Sequence, residues 1–179
     1  MEARKQPSPE AIEAAIGHLA KAISQAHCNT DKLAVVGVAN GGIHLATTLR
    51  ERIAQTLGRA IPLGTADISF HRDDIARNPI PKDTGPTEVP IDVDGANLLL
   101  VDDVLHTGRS IRAAINEIFD LGRPNKVELV ILYDRGGRKL PLQPDFCAFQ
   151  HEHAVDSQVE ITLDPDNPRN HAITFTQDA

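Results

Sequence analysis

Apolar residues recur along this chain at two distinct periods. Ile12, Ile16, Leu19 and Ile23 fall three or four positions apart, the spacing of one stripe along a helix. Ser8 is a good N-cap, Pro9 suits the first helical position and Glu10 complements the positive helix end. The pattern predicts a helix from Pro9, with residues 1–8 as a loose tail. Leu33 to Val38, Asn97 to Val101 and Val127 to Tyr133 are instead short, mostly apolar runs. Such runs suit strands buried on both faces of a parallel sheet. Amphipathic stretches from Gly42 to about Leu57 and from Ser110 to about Leu121 predict the intervening helices. Ile61 to Phe70 is a further extended run. His71 to Asp92 carries four prolines (Pro79, Pro81, Pro86, Pro90) and many charges without a period, which predicts a long loop over 71–92. Loops of that length inside a compact domain are often lids. Short extended pieces near Asp145–Phe149, Val159–Leu163 and Ala172–Thr176 finish the chain. Strands alternating with helices imply an α/β fold with a mostly parallel central sheet, flanking helices and right-handed crossovers. That topology gathers four separated segments at one sheet edge: Ala39–Gly42, the lid, Asp102–Ser110 and Asp134–Arg138.

Composition narrows the picture. At 179 residues the chain fits one domain, and 41% apolar with 3% aromatic content requires an aliphatic core. No apolar run is long enough to cross a bilayer and the amino terminus lacks a signal-peptide pattern, so a cytoplasmic location is the default. Cys28 and Cys147 provide no disulfide framework and are expected as reduced thiols. Cys147, His151 and His153 lie close together, but a closed zinc site wants four ligands at recognisable spacing, so surface histidines are the better reading. The net charge of −7 argues against general nucleic-acid affinity. It leaves room for a local basic patch and is compatible with magnesium-bound substrates.

The candidate chemistry concentrates in Leu98-Leu99-Leu100-Val101-Asp102-Asp103-Val104-Leu105-His106-Thr107-Gly108-Arg109-Ser110. An apolar strand ends in two adjacent carboxylates, and a small polar loop then opens a helix. The carboxyl end of a strand beside a helix amino terminus is where ligands collect in parallel sheets. The helix end offers unpaired N–H groups and partial positive charge to a phosphate. Thr107 and Ser110 add hydroxyls, and Gly108 lets the backbone curl closely around an anion. Carboxylates suit the opposite task, accepting from sugar hydroxyls or holding hydrated magnesium. Together these features describe a ribose 5-phosphate site. A simple helix cap would need one acceptor rather than two. A receiver-type phosphoryl acceptor would need a Lys directly after a later strand, and Lys139 lies several residues beyond its strand. The turn Gly37-Val38-Ala39-Asn40-Gly41-Gly42 also joins a strand to a helix, yet fits neither GxGxxG nor a Walker A loop.

The Asp-Asp…Thr-Gly block resembles the phosphoribosyl-pyrophosphate (PRPP) motif of the type I phosphoribosyltransferases. Within them, the chain resembles the family of pyrimidine operon regulators that double as uracil phosphoribosyltransferases. The resemblance runs from about Leu33 to Asp164. Besides the PRPP motif it rests on Asp67-Ile68-Ser69-Phe70-His71-Arg72-Asp73-Asp74, on Gly122-Arg123-Pro124 and on Asp134-Arg135-Gly136-Gly137-Arg138 before Leu140-Pro141. It implies a type I phosphoribosyltransferase fold with a lid loop and a small C-terminal hood over 140–179. The implied reaction is uracil plus PRPP giving UMP and diphosphate, with Mg2+ as cofactor.

The resemblance also implies roles for individual residues. Asp102 and Asp103 hold the ribose hydroxyls, with Val104, Leu105, His106, Thr107, Gly108, Arg109 and Ser110 forming the nucleotide loop. Ala39, Asn40, Gly41, Gly42, Arg72, Arg135 and Arg138 face the pyrophosphate. Asp102, Asp103 and Asp134 are the metal candidates, directly or through water, and Arg72, Asp102 and Asp103 the catalytic ones. In that family the turn after the first strand often carries Lys or Thr-Arg before its last glycine. Here Ala39, Asn40 and Gly41 stand there, which predicts weaker turnover. His106 stands where the pyrimidine subgroup commonly has Tyr, and is expected to shape the pocket. The resemblance further implies binding to a pyrimidine-operon leader RNA in the presence of UMP, so attenuating transcription. Arg112, Arg123, Lys126, Arg138 and Lys139 are candidate contributors, and a homodimer or higher homo-oligomer is implied. The other readings are a transferase for a purine or orotate, and a catalytically weak RNA-binding sensor of nucleotide.

Overall fold

The computed structural model describes residues 6–39, 41–68, 86–151 and 157–177. Helix α1 (Pro9–Ala26) begins as its sequence predicts: Ser8 is extended and its Oγ accepts from the Ala11 N–H at 3.3 Å, with Pro9 in the first turn. Strands β1 (Leu33–Val38), β2 (Leu63–Ala66), β3 (Asn97–Leu105), β4 (Lys126–Asp134) and β5 (Phe146–Gln150) form one sheet in the order β2-β1-β3-β4-β5. All neighbours in it are parallel. Helices α2 (Gly42–Leu57) and α3 (Arg109–Leu121) provide crossovers. A separate antiparallel ribbon, β6 (Ser157–Thr162) and β7 (Ala172–Gln177), follows, with a single 3-10 turn at Pro168–Asn170 between its strands.

Strand alternation divides the core into two layers. Leu33, Val35, Leu99, Val101, Val130 and Leu132 pack under the stripe of α1 and against Leu45, Leu49 and Ile53 of α2. Ala34, Val36, Val38, Leu98, Leu100, Leu129 and Ile131 face the other way, onto Ile111, Ala114 and Ile118 of α3. The core is aliphatic, as composition requires, and truncating a fully buried leucine such as Leu99 costs about 2–5 kcal/mol. The ribbon joins the first layer through Ile173 and through Phe175, whose ring meets Tyr133 edge-on at 5.7 Å. Among the described residues no helix is long and apolar enough to cross a membrane.

Two boundaries differ from expectation. The run 61–70 forms a strand only over Leu63–Ala66, and residues 69–85 of the run and the expected lid lie outside the described residues. The chain returns at 86, and Glu88 pairs with Thr65 in an isolated antiparallel bridge. Strand β3 continues four residues past Val101, because its ladder with β4 extends through Leu105↔Asp134. The two acids therefore sit on a paired strand rather than in the loop.

Candidate active site

The carboxyl ends of β1, β3 and β4 and the amino ends of α2 and α3 meet at one edge of the sheet. Asp102 is buried at 8% exposure and Asp103 half-buried. The Asp103 N–H donates to Asp102 Oδ1 at 3.0 Å, and the Val104 N–H to Asp103 Oδ1 at 2.7 Å. Among the described residues no cationic side chain pairs with either acid. Burial, and after it the neighbouring Asp103 charge, holds Asp102 well above the usual carboxylate range. Burial raises Asp103 too, against the pull of the Val104 N–H. Two acids kept apart from any cation are ready acceptors for a diol or a hard divalent ion.

The turn after β1 closes on this pair. A Cβ on Gly42 would stand 2.2 Å from the Val101 carbonyl oxygen, so only glycine lets the α2 terminus approach β3 here. At Gly41 a Cβ would meet Asp103 Oδ1 at 2.4 Å. Gly41 is also the N-cap of α2 and offers no side-chain acceptor, which leaves the first N–H groups for a ligand. Ala39 is buried, its N–H donating to the Ala66 carbonyl at 3.0 Å, and Asn40 lies outside the described residues.

Helix α3 starts one residue earlier than predicted, at Arg109. Its N-cap is Gly108 in the left-handed region (φ 88°), without a side-chain cap bond. Among the described residues Thr107 Oγ1 reaches the Arg109 N–H alone, at 3.4 Å. The loop thus turns by glycine conformation rather than by a side-chain cap. Leu140 and Leu142 support it, lying 3.5 and 3.3 Å from where a Gly108 Cβ would be.

The segment after β4 lies along this loop, but its charged groups have other occupations than those expected. Asp134 is 2% exposed; its Oδ1 accepts from the Gly136 N–H at 2.8 Å and its Oδ2 from Arg138 Nη2 at 2.5 Å. Arg138 also donates through Nη1 to the His106 carbonyl at 2.7 Å and to the Leu105 carbonyl at 3.3 Å, and through Nε to the Leu142 carbonyl at 3.1 Å. Asp134 is thus ion-paired with Arg138, whose other donors are directed at loop carbonyls. Among the described residues no three of His, Cys, Asp and Glu are gathered as a metal site, which covers Asp102, Asp103 and Asp134 as well as Cys147 and His151. His153 lies outside the described residues. Arg135 Nη1 approaches His106 Nδ1 at 3.3 Å. A guanidinium can only donate, so Nδ1 is the acceptor in this contact. Arg72 lies outside the described residues. Sequence reasoning missed the bracing of the loop by Arg138, Leu140 and Leu142; Arg138, an arginine four residues beyond a buried strand-end acid, was its only local sign.

A phosphoribosyl transferase domain model matches residues 8–161. Among curated relatives, a Bifunctional protein PyrR of Pseudomonas paraeruginosa is 50% identical over 126 residues, covering 70% of this chain and 72% of that protein. The protein of the same name from Halalkalibacterium halodurans is 40% identical, covering 86% and 87%, and that from a Geobacter strain 36%, covering 87% and 88%. Among solved structures, the hypoxanthine phosphoribosyltransferase of Trypanosoma cruzi superposes with a TM-score of 0.68 over 96% of this chain and 95% of its own, at 16% identity. A hypoxanthine-guanine phosphoribosyltransferase of Bacillus anthracis gives 0.64 over 89% and 87%, at 17% identity. These structures share the type I phosphoribosyltransferase fold; at such identities they carry the fold alone.

Proposed function

This chain belongs to the phosphoribosyl transferase family, among the proteins named Bifunctional protein PyrR, and on that premise we propose that it converts uracil and PRPP to UMP and diphosphate. The observation that carries the proposal is the buried pair Asp102-Asp103, without a cation among the described residues, leading directly into the glycine-turned loop at the start of α3. Asp102 and Asp103 accept from the ribose hydroxyls, and the backbone of Thr107 to Ser110 takes the 5-phosphate. The α2 amino terminus at Gly41-Gly42, with Ala39, Asn40, Arg72 and Arg135, serves the pyrophosphate. As the bond from the anomeric carbon to the pyrophosphate oxygen breaks, the bond to the uracil ring nitrogen forms and the ring proton passes to solvent. Rate enhancement comes from holding the base in line and from stabilising the leaving group.

Mg2+ fits the donor set of Asp102 and Asp103, two hard oxygen donors with no cationic partner among the described residues. When bound it would neutralise diphosphate charge next to the sugar. Asp134 and Arg138 stand outside this assignment because each occupies the other. Incubation with labelled bases and PRPP-Mg tests the choice of base: labelled UMP is expected, and transfer to hypoxanthine or orotate in preference to uracil would overturn it.

The relatives' name is bifunctional, and we propose the second activity too: UMP-dependent binding of leader RNA by a homo-oligomer in the cytoplasm. Of the five basic candidates, Arg138 is engaged internally and Lys126 pairs with the buried Glu128 at 2.7 Å. Arg112, Arg123 and Lys139 are exposed. Three phosphate contacts to single-stranded RNA give a log–log salt slope of about −2 per chain. RNA binding that ignores both UMP and salt would reject this activity.

A further inference from the structure

Three successive peptide groups of the phosphate loop have their carbonyl oxygens turned to the segment after β4. The Leu105 carbonyl accepts from the Arg135 N–H at 2.9 Å and from Arg138 Nη1 at 3.3 Å. The His106 carbonyl accepts from Arg138 Nη1 at 2.7 Å, and the Thr107 carbonyl from the Lys139 N–H at 3.0 Å. In a trans peptide the carbonyl and the following N–H point in opposite directions. Fixing the His106 and Thr107 carbonyls on one side therefore aims the Thr107 and Gly108 N–H groups at the other. Partial negative charge is collected against residues 135–139, and partial positive charge is presented on the opposite side of the loop. Arg138 anchors the arrangement, since one guanidinium also neutralises Asp134 at 2.5 Å and holds the Leu142 carbonyl at 3.1 Å. Its fork of donors spans five acceptors, the Gly136 carbonyl at 3.4 Å being the fifth, in a way a lysine ammonium does not.

We propose that Arg138 is a positioning residue for the 5-phosphate: it touches no substrate, and by holding the loop carbonyls it presents the loop amides to the phosphomonoester. This rests on the transferase reading given above and adds to it the device that orients the phosphate loop. It separates Arg138 from the pyrophosphate, the ligand its charge alone would suggest.

The test compares Arg138→Gln and Arg138→Lys with the unaltered protein in titrations with UMP, ribose 5-phosphate, PRPP-Mg and inorganic diphosphate. Loss of a charged hydrogen-bond donor is expected to weaken the first three by a common factor of about ten to a hundred, with diphosphate binding unchanged and Lys failing to restore affinity. Losses confined to PRPP and diphosphate would place Arg138 on the pyrophosphate and overturn the proposal. A lowered melting temperature with all affinities intact would reduce Arg138 to a structural role and overturn it equally. Amide NMR of the unaltered protein decides the matter should the variants fail to fold. Saturation with UMP is expected to shift the Thr107 and Gly108 amides, and UMP binding that leaves both unmoved refutes the proposal. If the unaltered protein binds none of the four ligands, the transferase reading itself fails, and this positioning role with it.

Discussion

The amino ends of the sheet and the acid pair at the carboxyl end of β3 treat buried charge in opposite ways. At the amino ends, charges have partners. Glu128 of β4 and His27 at the end of α1 are each 5% exposed, with His27 Nε2 2.9 Å from Glu128 Oε2, although off the line of a good hydrogen bond. Lys126 Nζ meets the other Glu128 oxygen at 2.7 Å, Lys32 pairs with Asp92 at 3.0 Å, and Asn125 donates to Asn97 at 2.9 Å. At the carboxyl end of β3, Asp102 and Asp103 are packed side by side with no cation among the described residues, and both hold their protons to higher pH than free carboxylates. The first arrangement stabilises the fold. The second costs stability, and on the proposed reading it is kept for a ligand, as perturbed acids are at functional sites.

Replacing Asp102 and Asp103 together by Asn would break this comparison most decisively. UMP and PRPP binding should weaken by about 3–6 kcal/mol, a hundredfold or more, as two hydrogen bonds to charged acceptors are lost. Stability at neutral pH should rise, on the order of 1–2 kcal/mol, as a repelling buried pair disappears. A calorimetric scan showing the double variant destabilised would mean that the acids serve the fold after all. His27→Ala should do the reverse: about 2–3 kcal/mol of stability lost in a denaturant titration, because Glu128 keeps only Lys126, with nucleotide affinity untouched.

The paired glycines sharpen the contrast on a smaller scale. Gly42→Ala drives a methyl group into the Val101 carbonyl and should cost about 1–3 kcal/mol of stability. Gly41→Ala meets only a carboxylate that can swing aside, so its expected effect is about tenfold on PRPP affinity with stability nearly unchanged. The smallest effect is on the pH profile. An acid whose pKa is raised on folding binds more protons folded than unfolded, so stability falls as pH rises from the free carboxylate range, about 4, through the raised values. Thermal melts across that window should show this decline, and it should be absent from the Asn double variant.

What the sequence could reveal follows the same division. The cap at Ser8, the strands, and the acid pair before Thr-Gly are local patterns, set by residues within a few positions of one another. The parts that were not legible are long-range. Arg138 reaches carbonyls 32 and 33 positions earlier in the chain. His27 and Glu128 are brought together only by the packing of α1 beside the sheet. The continuation of β3 to Leu105 depends on how far β4 stays in register with it. Side-chain type suggests Asp134 and Arg138 as ligands for magnesium and pyrophosphate; that the two pair with each other is visible only in their geometry.

A crystal structure of the protein with UMP and Mg2+ tests the central claim most directly. It should show the 5-phosphate against the backbone of Thr107 to Ser110 and the ribose hydroxyls on Asp102 and Asp103. UMP bound anywhere else, with that crevice still filled by solvent, would contradict the account.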